Sequence, residues 1–123
     1  MELVRKSEHT WVFVHDEPGA GNACHAYSVH PTSRQNPADD YQENEYLNRI
    51  DFQNGPIQER GVNGVQNEDL LAIVIHRLQG FQAGNFACRE NAIALTKIQE
   101  AMMWLEKRTA DRKARGVEGK SEK

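Results

Sequence analysis

Asn67-Glu68-Asp69-Leu70-Leu71-Ala72-Ile73-Val74-Ile75-His76-Arg77-Leu78-Gln79-Gly80-Phe81-Gln82, a break at Ala83-Gly84-Asn85, and the long run from Phe86 to Arg115 decide the fold of this chain. In the first segment Leu71, Val74, Leu78 and Phe81 recur at steps of three and four, while Leu70 and Ile73 carry apolar surface onto a second face. Asn67 reads as its N-cap, and Glu68 and Asp69 suit the positive end of a helix dipole. In the second segment Asn91, Leu95, Ile98, Met102 and Leu105 alternate steps of four and three, the period at which helices pack lengthwise. No Pro or Gly interrupts the run before Gly116, so at helical rise it spans roughly 45 Å. The pair predicts a long antiparallel helical hairpin. Its apolar faces outnumber those that so small a chain can cover, which predicts a homo-oligomer.

Upstream the periodicity changes. Trp11, Val12, Phe13 and Val14 lie in a β-rich run over Thr10 to His15, stopped by Asp16-Glu17-Pro18-Gly19. Cys24 to His30 alternates, with Cys24, Ala26, Ser28 and His30 on one side and His25, Tyr27 and Val29 on the other. Tyr46 to Phe52 returns to alternation before Asn54-Gly55-Pro56 ends it, and reads as a third strand antiparallel to the second. Pro31 to Asn44, with two prolines and no apolar periodicity, reads as a loop. The expectation is an α+β protein: a small antiparallel β-sheet region over residues 1–55, a helical hairpin over 56–116 and a flexible tail over 117–123, in one compact domain.

Composition narrows the function classes. The 123 residues are 27% charged, with a formal net charge of −3. No apolar run approaches the roughly 18 residues that span a bilayer, and Met1-Glu2-Leu3-Val4-Arg5-Lys6 lacks the apolar centre of a signal peptide, so a cytoplasmic protein without membrane partners is expected. Cys24 and Cys88 then read as reduced thiols. Charge is uneven along the chain: Asp39, Asp40, Glu43, Glu45 and Asp51 make the middle acidic, whereas Lys107, Arg108, Arg112, Lys113 and Arg115 make the end of the second helix basic. The acidic average argues against a general nucleic-acid binder while leaving room for a local anion site.

Few residues form a chemical constellation. Cys24, His25, His30 and Cys88 are zinc-ligating types, but their spacing matches no metal motif, and neighbours on a strand point to opposite faces. Cys88 lacks an orienting group and an oxyanion loop for nucleophilic catalysis. Gly55, Gly61 and Gly64 around Pro56 and Asn63 resemble a phosphate-cradling loop only superficially, because the lysine and hydroxyl of a P-loop are missing. No catalytic residue, cofactor or metal is therefore expected. Arg108, Arg112 and Arg115, at steps of four and three, fit either a solvated helix end or an anion site suited to phosphate. Asn91 is a polar residue in an apolar stripe and must find partners there or in a ligand.

Several runs together carry a resemblance: Phe52-Gln53-Asn54-Gly55-Pro56-Ile57, Gly61-Val62-Asn63-Gly64, Glu68-Asp69-Leu70-Leu71, Gly80-Phe81-Gln82, Phe86-Ala87-Cys88-Arg89-Glu90-Asn91, and Trp104-Leu105-Glu106-Lys107-Arg108-Thr109. They resemble the helical-hairpin domain of phage sponge proteins that counter the Thoeris and CBASS bacterial defences. Ala23-Cys24-His25-Ala26-Tyr27 leading to the third strand is similar to the Thoeris branch. The resemblance implies a protein of the host cytoplasm that traps glycocyclic ADP-ribose without cleaving it. It also implies a homo-oligomer with a dimer as its unit and a hexamer as the larger assembly, where some members bind cyclic di- or trinucleotides at a separate place. Carried over, it assigns base stacking to Phe81, a bond to the base edge to Asn91 and the pyrophosphate to Arg108, with Arg112 beside it and Gln58 and Asn63 as weaker contacts. The alternative is a structural or nucleic-acid-binding hairpin.

Overall fold

A computed structural model describes residues 1–32 and 46–123. It divides into two compact units, Met1–Val65 and Gln66–Lys123. The loop read over Pro31 to Asn44 lies, beyond its first two residues, outside the described residues.

The first unit is a four-stranded antiparallel sheet in the order β1 (Glu2–Lys6), β2 (Thr10–Val14), β3 (Ala26–Pro31), β4 (Asn48–Asp51). Three of these strands follow the alternation of the sequence. β1 leaves no pattern in the sequence, because every one of its residues is exposed and a bulge falls between Leu3 and Arg5. An edge strand needs only its neighbour's hydrogen bonds and leaves little apolar pattern. The register sets Phe13 opposite Ser28 and Trp11 opposite His30. Phe13 and Ser28 are fully buried, His30 nearly so, and the Ser28 hydroxyl lies 2.5 Å from His15 Nε2 and 2.8 Å from His30 Nε2. Burial, then the Arg49 guanidinium, the N-terminus and His30, push the His15 pKa below its ordinary value against the opposing pull of Asp16. The alternation of β3 is imperfect in the sequence because this face is a buried polar relay beside an aromatic residue.

Beyond β4 the chain forms one helical turn, α1 (Ile57–Arg60), which Pro56 enters and Gly61 leaves at φ +71°. It then returns to the sheet edge through a parallel bridge between Phe52 and Val65. Residues 56–65 thus belong with the sheet, and the unit boundary falls after Val65 instead of residue 55. Gly64 is required by close approach: a Cβ there would lie 2.4 Å from the Phe52 carbonyl carbon and 2.6 Å from the Asp51 oxygen. Gly64→Ala is expected to destabilise this unit by about 1–3 kcal/mol, since backbone has to move to admit the methyl group. A lowered thermal midpoint checks this; an unchanged one contradicts it.

The second unit is the antiparallel hairpin of α2 (Asn67–Gln82) and α3 (Arg89–Ala114). Its N-cap is Gln66, one residue earlier than Asn67, and the Asp69 carboxylate accepts the Gln66 N–H at 2.8 Å. On α2 the more covered positions include Leu71, Ile75, Leu78 and Gln82, whereas Val74 is 41% exposed, so Ile75 takes the packing place read for Val74. On α3 the stripe is as read, Asn91, Leu95, Ile98, Met102 and Leu105, and it continues at the same steps through Thr109 to Arg112. Gln82 ties the turn: its amide donates to the Cys88 carbonyl at 3.2 Å and accepts the Cys88 N–H at 3.1 Å. Cys88 then caps α3, its Sγ accepting the Asn91 N–H at 3.4 Å. Both cysteines are free.

Candidate functional site

The basic end of α3 is the place where chemistry concentrates. Trp104, Lys107, Arg108, Asp111, Arg112, Arg115 and Lys123 line a groove of about 340 Å³. Three arginines read as one face divide into two kinds. Arg112 occupies the packing stripe and is 6% exposed. Its Nε donates to Glu118 at 3.1 Å, one Nη to the Val117 carbonyl at 2.7 Å and the Lys120 carbonyl at 3.1 Å, and the other to the Glu122 carbonyl. Arg115 donates to the Lys123 carbonyl, and Lys107 pairs with Asp111 at 2.7 Å. Arg108 is exposed and, among the described residues, makes no hydrogen bond or ion pair.

Arg112, read with Arg108 as a ligand contact, lines the groove while its guanidinium is engaged by its own C-terminal segment. Its guanidinium bonds to the C-terminal segment at the carbonyls of Val117, Lys120 and Glu122, and Val117 is 8% exposed. The signal was available in the count: Leu105 plus four and three arrives at Arg112, whereas Arg108 lies off the stripe. Arg112→Ala is expected to release residues 117–122 and to lower the stability of the hairpin unit by about 2 kcal/mol, the scale of hydrogen bonds to a charged group. Hydrogen exchange checks it; protection of those amides equal to that of the unaltered chain contradicts it.

The other candidates sit at the hairpin tip. Phe81 is half-buried near the end of α2, with the Arg77 guanidinium over its ring at 5.0 Å. Asn91 is half-buried in the first turn of α3, and among the described residues its carboxamide makes no hydrogen bond. Asn91 and Arg108 are seventeen positions apart on one helix, roughly 25 Å at helical rise, so a single hairpin does not bring the tip and the groove together.

Gln58 and Asn63 belong to the first unit. Gln58 is exposed on α1. The Asn63 carboxamide is engaged twice by the Asn54 backbone, accepting its N–H at 2.8 Å and donating to its carbonyl at 2.7 Å. Its N–H goes to the Gln53 side chain at 3.0 Å. Asn63 thus locks a turn, as the plain reading of this glycine-rich stretch expects. It also lines a pocket of about 500 Å³ with Asp16, His25, Ala26, Asp51, Phe52 and Asn54. Burial works to raise the Asp16 pKa, but the N–H groups of Ala26 and His25 and the His25 charge outweigh it and hold the carboxyl below its ordinary value. Among the described residues its wall holds two carboxylates and no Lys or Arg, which opposes an anionic ligand. Among the described residues no cluster of three His, Cys, Asp or Glu side chains is placed to hold a metal ion, and no helix is long and apolar enough to cross a membrane.

Residues 43–110 match the family model described as Acb2/Tad1, hairpin domain. The chain belongs to the Acb2/Tad1 hairpin family. A protein of Bacillus phage SBSphiJ7 named Thoeris anti-defense 1 is 62% identical over 77 residues, which cover 63% of this chain and 54% of that protein. The matched part thus spans about half the length of that relative. The Acb2/Tad1 match begins before β4 and ends within α3, so it takes in Phe81, Asn91 and Arg108 and stops short of Arg112 and the tail that Arg112 holds.

Proposed function

We propose that the chain is a phage anti-defence protein that binds a cyclic ADP-ribose immune signal, glycocyclic ADP-ribose, in the host cytoplasm and holds it without cleaving it, so that the Thoeris effector is not activated. The observation that carries this reading is the Arg108 guanidinium, uncommitted among the described residues, in a groove where Lys107 is tied to Asp111 and Arg112 and Arg115 to the C-terminal segment. A free planar fork is the group that pairs bidentately with pyrophosphate. Phe81 supplies a flat ring to a base, and the unengaged Asn91 carboxamide supplies a donor and an acceptor to its edge. The family and the name of the phage relative support the same reading.

In this reading the protein works as a homo-oligomer, with a dimer as the unit and three dimers in a hexamer. Support comes from apolar residues that the hairpin leaves exposed: Ile73 at 64% on α2 and Met103 at 64% on α3. Light scattering at micromolar concentration is expected to give a mass above the 14.0 kDa of one chain, and a monodisperse monomer contradicts the arrangement. Cyclic di- or trinucleotides form a second ligand class with a place of their own, so an excess of a cyclic dinucleotide should not displace cyclic ADP-ribose. The binding test is an isotherm with cyclic ADP-ribose: one saturable site per chain, indifferent to competing DNA. Binding to DNA that falls steeply with salt, with none to cyclic ADP-ribose, would replace the trap with a nucleic-acid-binding hairpin.

A further inference from the structure

We propose that Trp104 is a stacking residue of the Arg108 groove, its indole taking the flat face of a planar ring on a phosphorylated nucleoside whose phosphates are held by Arg108. The inference rests on the reading of Arg108 as the pyrophosphate partner and adds a specificity-determining residue to it. Trp104 is the fourth residue before Arg108, so the two side chains share one face, separated by a single turn of about 6 Å rise. Both line the same groove.

Among the described residues the fold leaves most of this indole open. Met102 and Leu105 occupy the packing stripe on either side of it and are half-buried, whereas Trp104 is 62% exposed. Several other aromatic rings among the described residues have partners: Lys6 lies over Trp11 at 4.7 Å, Arg77 over Phe81 at 5.0 Å, and Tyr27 meets Phe52 edge to face at 5.7 Å, whereas Phe86, 77% exposed, lies away from the groove at the hairpin turn. Among the described residues Trp104 has no ring partner and no cation over its face. A bare indole beside a bare guanidinium is a matched pair for a ligand that joins an aromatic ring to phosphate within one helical turn, which a nucleoside phosphate does. Inorganic phosphates use only the guanidinium half of the pair, and that difference supplies the test.

The experiment uses the full chain with Trp11→Phe, which leaves Trp104 as the sole tryptophan, and two probes, cyclic ADP-ribose and inorganic pyrophosphate. Cyclic ADP-ribose is expected to change Trp104 fluorescence saturably, and pyrophosphate to bind with little change in emission. Trp104→Ala should weaken cyclic ADP-ribose by about 10- to 100-fold, the range of one base–aromatic stack, and leave pyrophosphate affinity within about twofold. Trp104→Phe should restore most of the loss. Equal affinity for cyclic ADP-ribose in Trp104→Ala overturns the inference while leaving the Arg108 reading in place. So does an equal loss for both probes, or a drop in assembly mass, which would make Trp104 an interface or scaffold residue. If the parent chain binds neither probe, the Arg108 reading falls and the stacking role with it.

Discussion

Arg108→Ala is expected to weaken cyclic ADP-ribose by about 10- to 150-fold, because a hydrogen-bonded charge pair with the ligand is worth about 1.5–3 kcal/mol. The fold should be untouched. Arg108 stands off the α3 packing stripe and, among the described residues, bonds to nothing, so its removal leaves no partner stranded. Arg108→Lys keeps the charge and loses the planar fork, and affinity should recover only in part. Isothermal titration of the three proteins checks this. Unchanged affinity in both variants would return Arg108 to an ordinary solvated helix end. Arg112→Ala is the internal contrast, since its expected effect is on the tail and on stability.

Mixed subunits should regain binding that neither inactive variant has. Phe81 and Asn91 lie at the hairpin tip and Arg108 toward the other end of α3, roughly 25 Å away. One nucleotide-sized ligand meets all three only if the tip of one chain approaches the groove of another, as a two-fold antiparallel pairing arranges. Such a dimer has two equivalent sites, each built from both chains. When Phe81→Ala and Arg108→Ala subunits are unfolded together and refolded, a mixed dimer has one site with both lesions and one with neither. Under random pairing about a quarter of all sites should bind again. Mixed dimers demonstrated by mass but without binding would separate Phe81 from Arg108 and end the shared-site geometry.

The hairpin was legible in the sequence because its information is local: a stripe repeating at three and four residues and a short break identify two helices and their antiparallel course. What the stripe omits is where it stops mattering. Counting onward from Leu105 through Thr109 places Arg112 in the packed seam, yet the eye groups it with Arg108 and Arg115 by type. The sheet was legible in three strands out of four, since β2, β3 and β4 have neighbours or buried faces to satisfy and β1 only fills an edge. The return of Val65 to Phe52 depends on a close approach allowed by Gly64, a tertiary fact with no periodic trace. At the site, Arg108 and Asn91 stand out because their side chains make no hydrogen bond among the described residues. Trp104 was hidden because a large apolar residue in a helix reads as core until its neighbours, Met102 and Leu105, are seen to hold the seam.

The central claim is that the chain retains a signal and does not consume it. The protein should be saturated with cyclic ADP-ribose, freed of unbound ligand, held for hours, then heat-denatured, and the released small molecule identified by mass. The ligand is expected to return with its mass unchanged, in an amount equal to the sites that were filled. Recovery of a product heavier by one water, appearing faster than in the absence of protein, would show hydrolysis and contradict it.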